Sequence, residues 1–158
     1  MNPFMKAADE LARENLRTNA GGPFGAVVVR NGEIVGRGSN HVLANCDPTA
    51  HAEVMAIRDA CKNLGTYDLS DCELYTTCYP CPMCLSAIIW ANVKVTYYGN
   101  NKEDAAGIGF RDDFIYGYLG KLADGEGDEQ TLRLISMDRE HTLKCFQSFA
   151  EKEDKTIY

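Results

Sequence analysis

The segment CELYTTCYPCPMCLSAIIWA, residues 72–91, changes character in its middle. The first part, "CELYTTC", is rich in β-branched and aromatic residues and predicts a strand. From about Pro80 to Ala91 the pattern predicts a helix, with Leu85, Ile88 and Ile89 facing inward. "VKVTYYG" at 93–99 predicts another strand.

Upstream, residues 3–17 predict an amphipathic helix with Phe4, Ala8, Leu11 and Ala12 on one face. Residues 24–40, "FGAVVVRNGEIVGRGSN", predict a β-hairpin turned by Asn31-Gly32. A helix is expected to begin near Asp47-Pro48, with Asp47 as N-cap and Val54, Ile57, Cys61 and Leu64 on its core face. Residues 100–130 read as loop-rich, 131–137 ("TLRLISM") as a last strand, and Leu143 to about Lys152 as a last helix. A hairpin followed by helix, strand, helix and strand implies an α/β fold, a three-layer α/β/α sandwich around a mixed sheet.

The chain's 158 residues suit one domain over 1–158, with no internal repeat or linker. No apolar run approaches a membrane span, and the N-terminus has acidic residues where a signal peptide needs a basic end. A cytoplasmic protein is expected. Seven cysteines, an odd number in a chain large enough to fold without cross-links, then point to thiols or metal ligands rather than disulfides. Cys46, Cys61, Cys72 and Cys145 stand alone and read as packing or surface thiols. A net charge of −7, with no lysine or arginine cluster, argues against a nucleic-acid partner and for a small neutral substrate.

Three cysteines within the opening segment form two overlapping C-x-x-C pairs: Cys78 with Cys81, and Cys81 with Cys84. Cys81 and Cys84 fall within one turn at a helix start, where the positive end of the helix favours thiolates. A third zinc ligand is available in His51 of "PTAHAEVMAIR", and Glu53 follows it. H-x-E followed by P-C-x-x-C is the signature of zinc-dependent base deaminases. There one Zn2+ is held by three protein ligands and the glutamate moves protons without touching the metal. Residues two apart on a helix face different ways, so His51 and Glu53 share a site only if the zinc lies off the helix's N-terminal mouth.

With these motifs the chain resembles the cytidine deaminase superfamily, and within it the small bacterial guanine deaminases. The resemblance runs through "GGPFGAVVV", "DPTAHAEVMAIR", "LYTTCYPCPMCLSAIIWA" and "GFRDDFIY". It implies a cytidine deaminase-like fold and zinc-dependent hydrolysis of guanine to xanthine and ammonia. The catalytic pair would be Glu53 and Asp112, with Asp113 the neighbour that can be mistaken for Asp112. It further implies that Asn40 bonds the purine's edge and that Phe24 and Trp90 clamp its faces. The C-terminal segment, about residues 140–158 and including Tyr158, would cover the active site or swap to a partner subunit of a homodimer. Where the superfamily often has glutamate before the proline–cysteine pair, this chain has Tyr79. Other substrates stay open: guanosine, cytosine, an aminated triazine or tRNA adenosine. So does a structural zinc module closed by Cys78 or His41 as fourth ligand.

Overall fold

The strand and helix of residues 72–91 form the middle of the fold in the computed structural model, which describes residues 1–158. In chain order the elements are α1 (Pro3–Thr18), β1 (Gly25–Arg30), β2 (Glu33–Ser39), α2 (Val42–Asn45), α3 (Ala52–Leu64) and β3 (Cys72–Cys78). They continue with α4 (Pro82–Trp90), β4 (Val95–Asn100), α5 (Lys102–Gly107), α6 (Asp112–Ala123) and α7 (Arg139–Glu151). The chain divides into two compact units, Met1–Gly117 and Tyr118–Tyr158.

All four strands belong to the first unit, in the order β2-β1-β3-β4. β1 runs antiparallel to both β2 and β3, whereas β3 and β4 are parallel and therefore need α4 as their crossover. The hairpin turns at Asn31 and Gly32, both at positive φ (51° and 79°), the conformation that a tight two-residue turn demands.

The sheet is covered on both faces, which is why "GAVVV" is apolar throughout instead of alternating. Val27, Val29 and Tyr75 pack against Phe4, Met5 and Leu11 of α1. Ala26, Val28 and Leu74 face the other way, toward Ala52, Ala56 and Ala60 of α3 and Ile88 of α4. The result is the expected three-layer α/β/α arrangement around a mixed sheet. α1 opens on the Asn2 carboxamide, which accepts hydrogen bonds from the amides of Phe4 and Met5.

α3 begins at Ala52, later than expected from Asp47-Pro48. The Asp47 carboxylate instead accepts hydrogen bonds from the Thr49 amide (2.8 Å) and hydroxyl (2.7 Å), closing a local turn that competes with helix. The buried stripe of α3 is Ala52, Glu53, Ala56 and Ala60, while Val54, Ile57, Cys61 and Leu64 are only half-buried beside it. In α4, Ile88 is buried as expected but Ile89 is 71% exposed.

Residues 100–130 are more ordered than their glycines suggested. Asn101 and Asp104 form a reciprocal capping box that starts α5, and α6 runs through Gly117 and Gly120. No strand forms over 131–137. There Asp128 takes the available donors, its side chain accepting from the Gln130 amide and Thr131 hydroxyl and its carbonyl from the Thr131 and Leu132 amides.

The α3 stripe of alanines is matched by two glycines on β2. A Cβ at Gly36 would lie 2.4 Å from the Ala56 carbonyl oxygen, and one at Gly38 would lie 2.2 Å from that of Ala52. Helix and strand are thus in backbone contact, which fixes the start of α3 beside the end of β2. Gly38→Ala is expected to destabilise the protein by about 1–3 kcal/mol or more, because the obstacle is backbone and cannot rotate away. Gly117→Ala, which meets open space within α6, should instead be neutral or stabilising by up to about 1 kcal/mol. Denaturant midpoints of the two variants test this contrast.

Candidate metal centre

Two helix starts converge on one point. His51 is the N-cap of α3 (φ −72°, ψ 155°) and Cys81 the N-cap of α4 (φ −66°, ψ 167°), both extended. Cys84 lies one turn into α4. Proline at the first position of α4 suits a helix start because no amide is needed there. Because His51 stands outside the helix, the helical rule that separates positions i and i+2 does not govern it. Its ring and the Glu53 side chain therefore face one cavity.

Cys81 Sγ and Cys84 Sγ lie 3.5 and 3.6 Å from His51 Nδ1. All three donor atoms fall within 4.8 Å of one another. A tetrahedral zinc with ordinary Zn–S and Zn–N bonds requires N···S separations of about 3.6 Å. Donor chemistry and spacing both fit zinc, with one histidine nitrogen and two sulfurs.

The electrostatics favour the thiolate at Cys81. The Cys84 thiol donates to it, and with help from the His51 ring holds its pKa down at about 4. Cys84 is correspondingly pushed up by its bond to Cys81, and His51 is raised chiefly by its own bond to that sulfur. A cation bound by all three displaces the shared protons.

The other two sulfur or imidazole candidates lie outside this group. Cys78 is buried, its thiol directed at the Asn101 carbonyl oxygen 3.6 Å away, and burial raises its pKa to about 11. His41 Nδ1 is engaged with Ser39, 2.9 Å from its carbonyl oxygen. Three donors, not four, make up the site.

Glu53 is 6% exposed and is not one of the three donors. Its Oε1 accepts a hydrogen bond from the Thr76 hydroxyl at 3.1 Å. Burial pushes its pKa upward from the ordinary carboxylate value.

A cleft opens beside the ligands, walled by Phe24, Asn40, Glu53, Tyr79, Phe110 and Asp112. Phe24 and Phe110 meet edge to face with centroids 4.7 Å apart. Asn40 is buried and lines the cleft, and its Oδ1 accepts from the Val42 amide. Its main chain is held from behind, since Asn15 Nδ2 donates to the carbonyls of both Asn40 (2.7 Å) and Gly22 (2.9 Å).

Asp112 lines the cleft and its pKa is raised, first by burial and then by the Cys81 charge. Asp113 is exposed on α6 and does not line it. Trp90, expected at a ring face, ends α4 and is 64% exposed, away from the cleft. Phe110 lines the cleft wall beside Phe24. Tyr158 is 78% exposed in the C-terminal unit.

Phe110, Thr76 and Asn15 were not singled out from sequence. Phe110 lies within the quoted "GFRDDFIY", and Thr76 points to the same face of β3 as Leu74, so strand alternation was the available signal. Nothing local marks Asn15, whose partners are 7 and 25 residues away.

Residues 1–100 match the family described as cytidine and deoxycytidylate deaminase zinc-binding region. The chain is 47% identical to a guanine deaminase of Bacillus subtilis (strain 168) over 155 residues, 98% of this chain and 97% of that protein. An X-ray structure of guanine deaminase from Bacillus subtilis superposes with a TM-score of 0.87 at 45% identity, covering 100% of this chain and 99% of the other. A tRNA-specific adenosine deaminase of Aquifex aeolicus is 44% identical over only 82 residues, 51% of this chain and 54% of its own length. The similarity to the adenosine deaminase thus covers half of the chain, whereas that to the guanine deaminase continues to its end. The chain belongs to the cytidine deaminase superfamily, and within it to the family of the Bacillus subtilis guanine deaminase.

Proposed function

We propose that this protein is a zinc-dependent aminohydrolase that converts guanine and water to xanthine and ammonia. The observation that carries the reading is a three-donor zinc site with a buried, non-ligating carboxylate beside it, in a chain similar over its whole length to a guanine deaminase.

His51, Cys81 and Cys84 would hold the zinc, which when bound would supply the Lewis acidity that brings a water's pKa near neutrality. Glu53, oriented by Thr76, takes one proton from the attacking water and gives it to a purine ring nitrogen, then takes the second from the new C2 hydroxyl and gives it to the departing amine. A C2–O bond forms as the C2–N bond breaks, and the nitrogen leaves as ammonia. Asp112, across the cleft, orients the amine or assists its protonation. Asn40 donates from its side-chain amide to an acceptor on the purine's edge. Phe24, edged by Phe110, offers a ring face for stacking.

In this reading the substrate is a free base, consistent with the acidic balance of the chain. The protein acts in the cytoplasm as a homodimer, its C-terminal segment at about 140–158, with Tyr158, covering a cleft of its own or its partner's. No helix is long and apolar enough to cross a membrane.

Zinc-replete protein assayed on guanine, guanosine, cytosine, an aminated triazine and tRNA should release ammonia fastest from guanine, with xanthine as the second product. Zinc-replete protein that leaves guanine untouched refutes the proposal. Glu53→Gln should retain zinc while kcat falls by about 10²–10⁴-fold, the usual range for general acid–base catalysis. Cys78→Ala should keep both zinc and turnover; loss of zinc would instead mark a closed structural site.

A further inference from the structure

Tyr79 stands where the superfamily often has glutamate, and the proposed proton transfers make no use of it. Its ring nevertheless walls the cleft. Tyr98 meets that ring edge-on at 5.0 Å, and Tyr116 lies 6.3 Å away. Lys102 Nζ sits 4.7 Å from the Tyr79 centroid and 4.1 Å from that of Tyr116. An ammonium placed over two rings is attracted by both.

The Tyr116 hydroxyl reaches further, donating a 2.7 Å hydrogen bond to the Pro80 carbonyl, next in the chain to Cys81. Tyr116 follows Asp112 by four residues in α6, so the two side chains share a helix face. They are the partly buried residues of 112–117, and the others are exposed. The helix follows a turn at Gly109 (φ 94°), a backbone conformation that favours glycine. Burial raises the Tyr116 hydroxyl's pKa, so it stays a donor.

We propose that Tyr116, seated on Lys102 and Tyr79, is a positioning residue that fixes Asp112 at the cleft by tying the first turns of α6 to the loop carrying Cys81. The inference rests on reading Asp112 as the second proton-handling carboxylate in guanine deamination.

Tyr116→Phe keeps the ring over Lys102 and removes only the hydroxyl. In the zinc-loaded protein, amide hydrogen exchange over 112–117 should quicken about three- to tenfold, the loss expected from one such bond, with α1 unchanged. On guanine, kcat should fall by a similar factor at constant zinc content. In an Asp112→Asn background the same substitution should lower kcat no further. Unchanged exchange over 112–117 overturns the proposal. So does an equal fall in kcat with and without Asp112, which would mean a general structural role. Should the wild-type protein not act on guanine, the exchange experiment still decides whether Tyr116 ties the helix, and only the substrate reading fails. Lys102→Met should quicken the same amides, and unchanged exchange there removes Lys102 from the clamp.

Discussion

The two metal-binding segments of this chain meet at their helix N-caps, and the remainder of the site follows from that meeting. An N-cap residue is extended, so its side chain is free of the helical repeat, while the next residues are already fixed by it. His51 and Cys81 both occupy this position. One position frees the histidine to share a cavity with Glu53 although the two are separated by a single residue. The other lets Cys81 and Cys84 present their sulfurs on one side of α4. Two helix ends with unpaired amides also place positive potential where thiolates must form.

Bringing these ends together depends on how closely α3 lies on the sheet. Glycines 36 and 38 on β2 face alanines 52, 56 and 60 on α3, and no side chain intervenes. That contact sets Glu53 against Thr76 of β3, and it sets His51 beside Asn40 at the end of β2. Burying a carboxylate this way raises its pKa. Packing and chemistry are therefore the same constraint seen at two distances. The opposite wall is built differently, from α6 and the aromatic rings of Phe24, Tyr79 and Phe110.

Much of this was legible in the sequence because its signals are local. The hairpin announced itself through Asn31-Gly32, and the strand-to-helix change at 72–91 through composition and period. The metal ligands were legible because their types and order carry chemistry regardless of fold. What stayed hidden depended on contacts between distant residues or on competing local bonds. Asp47 looked like a helix cap, but its Oδ1 accepts from the Thr49 amide and hydroxyl. The 131–137 segment looked like a strand, but the donors that begin it are bound by Asp128. Phe110 falls in a stretch that reads as loop, yet it lines the cleft beside Phe24, just after the turn at Gly109.

The proposed chemistry requires a zinc with three protein ligands and an exchangeable fourth, with Cys78 left out. X-ray absorption at the zinc edge of the loaded protein measures this directly. Two sulfurs at about 2.3 Å and two nitrogen or oxygen neighbours at about 2.0–2.1 Å are expected, with one light-atom neighbour replaced by an added inhibitory anion or substrate analogue. A shell of three sulfurs and one nitrogen, unaltered by any such addition, would contradict it.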